Sequence, residues 1–505
     1  MQTDLGRISS RKVLGFYKGL DEAGVENHGL LVTRRGETMF EHYISPYGAE
    51  QPHTLFSVTK SLVSTAVGFA VEEGLLTLDT KIGPYFSDYK QSPGTENITV
   101  RQLLTMHSGK QFSFLQDMTG DYVAIFLKAP LRKKNGFLYS NNDVHMLSAL
   151  LQRLTGETVR DYLVPRLFEP LGIEPPAWET DCKGISVGGT GGYLPLRALV
   201  KIMECYINGG MYEGRQVIPA YWAREAGKKQ AETNDEHPGA NGYGFLFWTR
   251  PDHFCMNGMY GQIISGYPAT GTVIGYTNVT LDDSPLERLQ KQWLLPALEE
   301  ADDAEGRALL ETYLQGKDET ITAKDTRGRV PGGEFRMEAL SKGMAGLLFP
   351  ASLIPRSLST SMAKRPKKSF DRFSFTQDDN TVTVHWYEED DPVTVICGLD
   401  GTPRLSACSL KGYPYTVWSH GYWEGNVLHM RVKALNTLSS LTMTFRFEHN
   451  GFGLRVADDP SFEEFILTNV SEVAVLEKYK PLKAAASGIM KLLLRTITAE
   501  MKFKK

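Results

Sequence analysis

The sequence is poor in cysteine, lacks any long apolar run and carries no excess of positive charge. Its five cysteines are odd in number and none are spaced as C-x-x-C, so we expect reduced thiols rather than a disulfide framework or a cysteine zinc site. No stretch of about 18 consecutive apolar residues occurs, and the N-terminal residues have no apolar core of the kind that a signal peptide carries. These absences predict a cytoplasmic protein.

The charge of the chain is nearly balanced. With 55 basic and 59 acidic residues the formal net charge is −4, which argues against nucleic acid as the main partner. No grouping of histidine, cysteine and aspartate has the spacing of metal ligands, so we predict neither a metal nor a cofactor. The hydrophobic content of 41% is ordinary for a soluble globular chain, and the length of 505 residues predicts two or three domains.

The strongest single pattern lies at residues 56–78. Apolar residues recur there at helical spacing and Gly74 follows the last of them, which predicts a buried helix that ends near Gly74. Ser57 and Lys60 are three residues apart and therefore share a face of this helix. A serine at a buried helix N-terminus also has free backbone N–H groups beside it, which favour a developing oxyanion. The segment therefore predicts a serine nucleophile with a lysine partner, the S-x-x-K motif.

This motif is not specific by itself. The same pattern begins at Ser9, Ser87 and Ser361. Only Ser57 opens a long apolar helix, so the helix and not the motif selects the candidate nucleophile.

A second basic group is expected in the site. Lys60 can accept the serine proton only when it is neutral, and neutralising a lysine at pH 7 costs roughly 4–5 kcal/mol unless burial lowers its pKa. Tyr139 is the candidate partner, because a nearby lysine cation lowers the pKa of a phenol. Tyr139 belongs to a Tyr-x-Asn triplet that also occurs twice elsewhere, but only here does the triplet stand in a loop entering a predicted helix. Asn141 is expected to hold Lys60 and a substrate amide.

The order of predicted elements indicates an α/β domain followed by an all-β domain. Residues 29–44 predict a β-hairpin that turns at Arg35-Gly36, and three consecutive strand segments are predicted between 241 and 278. Strands at both ends of a helical middle indicate one antiparallel sheet flanked by helices. The first domain is assigned to residues 1–300.

The remainder of the chain is divided into three segments. Residues 301–345 predict a helical connector, and residues 346–475 predict an antiparallel β-barrel or sandwich, because short alternating segments are separated there by Asp-Asn, Gly and Pro turns. Residues 476–505 predict a basic amphipathic tail. Peripheral membrane contact through 478–505 is one hypothesis for this tail, and an ordinary solvated or domain-packing helix is the other.

Six blocks of the first domain resemble, in the same order, the serine beta-lactamase-related superfamily, in its class C beta-lactamase, esterase and D-aminopeptidase branch. The resemblance implies the beta-lactamase/transpeptidase-like fold. It also implies that Ser57 is the acylated nucleophile, Lys60 its partner, Tyr139 the general base and leaving-group acid, and Asn141 the residue that positions an amide. The blocks are HTLFSVTKSLVSTAVGFAVEEGLLTLD, ITVRQLLTMHSG, GFLYSNNDVHMLSALLQRLTGE, LFEPLGI, VGGTGGYL and YGFLFW.

A third family element, a Lys-Thr-Gly-like triplet on a strand, aligns with residues 256–258. The alignment implies that Asn257 and Gly258 border the substrate and that the Met259 N–H completes an oxyanion hole with that of Ser57. No cation occupies the lysine position, and in the family this lysine helps to hold the carboxylate of penicillins. The resemblance therefore implies an esterase or small-amide hydrolase rather than a true beta-lactamase. The all-β domain resembles the lipocalin-like domains of some members.

Two other catalytic patterns are less favoured. Residues 184–188 match G-x-S-x-G, but the strand and helix that a nucleophile elbow requires are not predicted around them. His107, at a helix end, is interpreted as a structural hydrogen-bonding residue rather than a triad base. The predicted function is a serine hydrolase that forms an acyl-enzyme on a small ester or amide. The alternatives are a ligand-sensing or penicillin-recognising protein with little turnover, or a weak beta-lactamase.

Overall fold

The computed structural model describes residues 7–110, 121–132, 136–233, 241–317, 328–338, 353, 370, 372–388, 390–438, 440–459 and 501–505. These residues fall into two compact units, one formed by those up to 317 and the other by those from 328 onward. The first unit is an antiparallel sheet with helices around it and the second is all-β, so the predicted fold class is confirmed.

The elements of the first unit are as follows. The helices are α1 (Ser10–Glu22), α2 (Thr59–Glu72), α3 (Val100–Leu104), α4 (Tyr122–Lys128), α5 (Asn141–Thr155), α6 (Val159–Leu163), α7 (Leu196–Ile207), α8 (Ala220–Ala226), α9 (Ser284–Leu289), α10 (Leu295–Ala297) and α11 (Ala304–Gln315). The strands are β1 (Glu26–Arg34), β2 (Glu37–Tyr43), β3 (His53–Thr54), β4 (Tyr193–Leu194), β5 (Met211–Tyr212), β6 (Arg215–Gln216), β7 (Gly242–Tyr243), β8 (Trp248–Thr249), β9 (Phe254–Gly258), β10 (Gln262–Tyr267) and β11 (Thr272–Val279).

The main sheet has the order β2-β1-β11-β10-β9-β8-β7, so its first and last strands along the chain pair with each other. A single sheet built from strands at both ends of the domain was predicted and is confirmed, and the structure adds that these strands are direct neighbours. Successive residues of β11 face opposite layers. A Cβ at Gly275 would lie 2.7 Å from Val200 of α7, while the ring of Tyr276 lies 5.9 Å from that of Phe16 of α1. Helices therefore cover both faces, and β1 and β11 are buried over almost their whole length.

The predicted hairpin is also confirmed. β1 and β2 pair with Arg34 opposite Glu37, which leaves Arg35 and Gly36 as a two-residue turn. Both turn residues are left-handed, with φ of 53° and 80°. This geometry matches the twist of the flanking strands and suits a glycine at the second position.

The second unit is a β-barrel in the order β15-β14-β13-β12-β21-β20-β19-β18-β17-β16. The barrel closes where β15 approaches β16 and β17. There the Ile396 N–H donates to Ser406 Oγ at 2.9 Å, and Gly398 forms a β-bridge with His420. Phenylalanine rings fill much of the interior, and Phe503 stacks on Phe452 with centroids 4.6 Å apart. The strands are β12 (Glu334–Met337), β13 (Arg372–Gln377), β14 (Thr381–Glu388), β15 (Asp391–Gly398), β16 (Arg404–Leu410), β17 (Tyr413–Glu424), β18 (Val427–Ala434), β19 (Ser440–Glu448), β20 (Gly451–Asp459) and β21 (Met501–Lys504).

The predicted helical connector, 301–345, is divided between the two units. α11 belongs to the first unit, where Arg11 of α1 donates to Asp303 at 2.8 Å. β12 belongs to the barrel and pairs with β13 and β21. The parts at 318–327 and 339–345 lie outside the described residues. The charged, helical pattern of this segment could not predict the division, because it depends on partners that are distant in the sequence.

The predicted tail, 476–505, is corrected at its end. Residues 501–504 form β21, paired with β20 and β12, and not the last turn of a helix. Met501 and Phe503 are buried and alternate with Lys502 and Lys504, which is the two-residue period of a strand. The part at 476–500 lies outside the described residues, so membrane contact through 478–505 stays a hypothesis. None of the helices in the described ranges is long and apolar enough to cross a membrane.

Candidate active site

Ser57 lies in a 3-10 turn, Phe56–Val58, that leads directly into α2. The helix ends at Glu72 and Gly74 follows it with a left-handed φ of 71°, as the sequence predicted. Phe56, immediately before the candidate nucleophile, has a φ of 45°. A non-glycine residue in this region is strained, and such strain is concentrated at functional sites. Ser57 itself is half-buried, whereas α2 after it is almost entirely buried.

The Lys60 side chain is buried and touches three oxygens. Its Nζ lies 2.7 Å from Ser57 Oγ, 2.7 Å from Asn141 Oδ1 and 2.8 Å from the carbonyl oxygen of Gly189. All three oxygens belong to uncharged groups, so none of these contacts supplies a carboxylate to neutralise a lysine cation. Burial therefore lowers the pKa of Lys60 well below its ordinary value of 10.5. The neutral amine that a base requires is favoured by this environment.

The three contacts also orient that amine. A neutral amine has two N–H groups and one lone pair, whereas a carbonyl or amide oxygen can only accept. Asn141 Oδ1 and the Gly189 carbonyl therefore take the two N–H groups. The lone pair is left for the third neighbour, the hydroxyl of Ser57.

Tyr139 completes the group around Ser57. Its phenol forms a side-chain hydrogen bond with Ser57, and Lys60 Nζ lies 4.7 Å from the centre of its ring. The ring stacks on Trp248 at 5.5 Å and meets the edge of Tyr243 at 6.2 Å. The structure thus brings Ser57, Lys60 and Tyr139 together from distant parts of the chain.

The predicted shift in the pKa of Tyr139 is wrong in direction. A lysine cation was expected to lower the pKa of Tyr139, but burial lowers the pKa of Lys60 and so favours its uncharged form. Enclosure among aromatic rings instead raises the pKa of Tyr139 above its ordinary value of 10.0. At neutral pH Tyr139 is therefore a phenol that can donate a proton, and not a phenolate.

The start of α5 places Tyr139 and Asn141. Ser140, between them, is the N-cap of the helix, and its Oγ accepts the Asp143 N–H at 3.2 Å. Tyr139 lies in the extended segment before the cap, and Asn141 is the first helical residue. This is the loop-to-helix transition that the sequence predicted.

The strand predicted to border the site passes against the backbone of Ser57. A Cβ on Gly258 would lie 2.4 Å from the Leu55 carbonyl oxygen and 3.3 Å from Ser57 N, so only glycine fits there. Met259 follows Gly258 and is 39% exposed. The Ser57 N–H is in the first turn of its helix, where no earlier carbonyl of the helix is available. The two N–H groups predicted for an oxyanion hole therefore belong to neighbouring segments.

The other two residues of the aligned triplet differ in their surroundings. Asn257 is half-buried on β9, opposite Ile263 of β10. Met256, which the sequence alignment sets at the position of the family lysine, is fully buried in the core of the first unit. On that alignment a core side chain stands in place of the cation.

Gly189 is a residue of the site that was not predicted from the sequence. It lies in the block VGGTGGYL, which was given no part in the site, because the contact to Lys60 is made by a backbone carbonyl. Asp181 shapes the loop that comes just before this block, since its carboxylate accepts the N–H groups of Lys183 at 2.8 Å and Ile185 at 3.0 Å. His145 Nε2 lies 3.1 Å from the same carboxylate and ties the loop to α5. The glycine density is the signal that could have identified the close approach.

The residues of the two less favoured catalytic patterns, Ser186 and His107, make structural contacts. Ser186, in the G-x-S-x-G match, is buried and pairs by a single β-bridge with Thr180, without the strand and helix of an elbow. His107 Nδ1 donates to the Thr105 carbonyl at 2.6 Å, a local backbone contact. In the described part of the chain no group of three or more His, Cys, Asp or Glu side chains could hold a metal ion.

Comparison with known proteins gives consistent findings. The model of the beta-lactamase family matches residues 16–295. A 6-aminohexanoate-dimer hydrolase of Paenarthrobacter ureafaciens is 23% identical over 276 residues, which cover 48% of this chain and 70% of that protein. An uncharacterized protein of Alkalihalophilus pseudofirmus is 26% identical over 246 residues, covering 45% of this chain and 68% of that protein. A solved structure of a beta-lactamase from Bacteroides dorei superposes with a TM-score of 0.51 at 14% identity, covering 58% of this chain and 100% of that one. That likeness shows the fold and confirms the beta-lactamase-like architecture.

Proposed function

Because this chain belongs to the beta-lactamase family, which its residues 16–295 match, we propose that it is a serine hydrolase acting on a small ester or amide through an acyl-enzyme at Ser57. The observation that carries the proposal is the buried Lys60, whose Nζ lies 2.7 Å from Ser57 Oγ. A serine becomes a good nucleophile only when a base takes its proton. Two features suit Lys60 to be that base: it is within hydrogen-bonding distance of Ser57 Oγ, and burial lowers its pKa and so favours the neutral amine.

In the first step Ser57 Oγ attacks the substrate carbonyl and its proton passes to the lone pair of Lys60. The negative charge that develops on the carbonyl oxygen is stabilised by the N–H groups of Ser57 and Met259. Tyr139 gives its phenolic proton to the leaving group as the bond to it breaks. The products of this step are the Ser57 ester, a Lys60 ammonium and a Tyr139 phenolate.

Water completes the cycle. It attacks the acyl carbon and gives a proton to the Tyr139 phenolate, and Ser57 Oγ leaves with the proton held by Lys60. All three side chains return to their starting protonation states. Asn141 supports both steps by accepting an N–H of Lys60 through Oδ1, and its amide is positioned to contact a substrate amide.

Three observations support small esters or amides as the substrate class. The 6-aminohexanoate-dimer hydrolase that resembles this chain is named for an amide substrate. The buried Met256 stands where the aligned family lysine would bind a carboxylate, which disfavours penicillins. Asn257 and Gly258, which border the site, are neutral and suit an uncharged acyl group.

A covalent probe tests this proposal. We expect a fluorophosphonate to add to the wild-type protein, to fail with Ser57→Ala, and to react normally with Ser186→Ala, the matched control from the G-x-S-x-G pattern. Intact mass measures the adduct, and p-nitrophenyl esters measure turnover. Equal labelling of Ser57→Ala and wild type would refute the proposal. A stable adduct from ester substrates with negligible turnover would favour a sensing protein of the same fold.

A further inference from the structure

A second buried polar cluster lies behind the segment that carries Tyr139 and Asn141. Its centre is Asp143, the third residue of α5, whose side chain is fully buried. Its carboxylate accepts Ser108 Oγ at 2.8 Å and the Ser108 N–H at 3.4 Å. Burying a carboxylate is costly unless several donors face it, so this arrangement is specified by the fold.

Asp143 is also bonded to the residue between the two site residues. The Asp143 N–H donates to Ser140 Oγ at 3.2 Å, and the Ser140 side chain hydrogen-bonds to the carboxylate. The carboxylate therefore joins the loop after α3, through Ser108, to the cap of α5, through Ser140. Tyr139 and Asn141 are the two residues attached directly to that cap.

Two other titratable groups interact electrostatically with this carboxylate. Lys110 is buried, and its Nζ donates to Ser92 Oγ at 2.9 Å, Thr95 Oγ1 at 2.5 Å and the Ala129 carbonyl at 2.7 Å. Burial raises the pKa of Asp143 to about 7, although Ser108, Ser140 and the charge of Lys110 oppose the shift. The buried phenol of Tyr243 is the second group, and its pKa is raised well above 10.0.

We infer that Asp143 is a positioning residue for hydrolysis at Ser57, an inference that rests on the proposed function. Acting through Ser108 and Ser140, it fixes the backbone that presents Tyr139 to Ser57 and Asn141 to Lys60. It touches neither the substrate nor the reacting atoms.

The substitution that tests this role follows from the donor count. Both oxygens of Asp143 accept, and donors from Ser108 reach each of them. In Asp143→Asn one oxygen becomes an NH₂ group, which cannot accept, so one of the donors around it must either lose its acceptor or, if it is a hydroxyl, turn round to accept instead. The cap is then displaced from its place, and a displacement of about 1 Å can cost about a hundredfold in rate. Ser108→Ala weakens the same link from the other side, because it removes the Oγ bond and leaves the longer bond from the Ser108 N–H.

The chain offers a matched control in α6. There Asp161 is also the third helical residue, its N–H donates to the cap Thr158 at 3.2 Å, and Thr158 Oγ1 donates back to its carboxylate at 2.7 Å. No site residue adjoins that cap. Asp161→Asn therefore reproduces the local change at a helix start without touching the proposed site.

The experiment compares steady-state ester hydrolysis, fluorophosphonate labelling and thermal unfolding for the wild type and the variants. We expect kcat to fall ten- to a hundredfold in Asp143→Asn and in Ser108→Ala with KM within twofold, and Asp161→Asn to keep both constants. The double variant at 108 and 143 should be no slower than Asp143→Asn, because both changes break one link.

Rates are expressed per molecule able to react with the probe, so a loss of folded protein does not count as a loss of kcat. If Asp143→Asn does not fold, Ser108→Ala alone decides the result. Retention of kcat within twofold by the folded variants, or additive losses in the double variant, would overturn the inference. A wild-type protein that is neither labelled nor active would instead overturn the proposed function.

Discussion

Replacing Gly189 by alanine should disable the site without removing any of its side chains. The new Cβ would lie 2.8 Å from Asn141 Cβ, 2.8 Å from Asn141 Oδ1 and 3.0 Å from Asn141 Cγ. Ordinary contact between carbon atoms needs about 3.5–4.0 Å. One of the two segments must therefore move by about 1 Å.

This displacement falls on two of the three contacts of Lys60. Asn141 Oδ1 and the Gly189 carbonyl hold its N–H groups at 2.7 and 2.8 Å, so movement of either one releases the amine from its orientation toward Ser57. Misplacing a reacting group by about 1 Å can reduce the rate by about a hundredfold. Overpacking of this kind also costs about 1–3 kcal/mol of stability, which is small enough for the variant to remain folded.

The assay is the rate of acylation by a p-nitrophenyl ester in the first turnover, with thermal unfolding measured in parallel. Gly48→Ala is the control, since a Cβ there meets nothing within 4 Å and its backbone is not left-handed. We expect a loss of ten- to a hundredfold for Gly189→Ala and none for Gly48→Ala. An acylation rate within threefold of the wild type, in a folded Gly189→Ala protein, would refute the proposed orientation of Lys60.

Two further predictions concern the base and the barrel. Acylation requires neutral Lys60, so the rate of acylation should rise with pH through the pKa of Lys60. Because burial lowers that pKa, the rise should end well below pH 10.5, and a pH profile centred at 10.5 would contradict this. Lys60→Arg should reduce the rate of acylation by at least about a hundredfold. Phe503→Ala removes a buried ring that stacks on Phe452. It should lower the free energy of unfolding, measured by urea denaturation, by about 3–5 kcal/mol. The control Lys502→Ala should change that free energy by less than about 0.5 kcal/mol. Equal stabilities of the two variants would show that the barrel core is not closed by β21.

The part of the site that could be predicted is the part specified by local spacing. Ser57 and Lys60 are linked by one helical turn, and Tyr139 and Asn141 are linked by a helix cap, so periodicity and capping residues are sufficient to find them. Gly189 contributes only a carbonyl oxygen, and no residue type marks where a backbone oxygen will point.

The direction of the pKa shift at Tyr139 could not be predicted for a related reason. It depends on whether Lys60 is charged, and that depends on burial and on which oxygens surround the amine. These quantities come from packing between segments about 80 residues apart, as the Lys60–Asn141 contact shows. The strand at 501–504 was missed because four residues are too few to distinguish a strand from a helix. Its identity is decided by distant partners at 336–337 and 451–454.

The pairing of β1 with β11 has a consequence for how the protein is made. Asn27 and Asn278, which hydrogen-bond at 2.7 Å across this pair, are 251 residues apart, and ribosomes add about 5–20 residues per second. The N-terminal hairpin must therefore wait about 12–50 s for its neighbour to emerge, with one edge of β1 unpaired throughout. We therefore expect this hairpin to determine how strongly the protein depends on chaperones during translation. A circular permutant in which the codons of the hairpin follow those of β11 should depend on chaperones less.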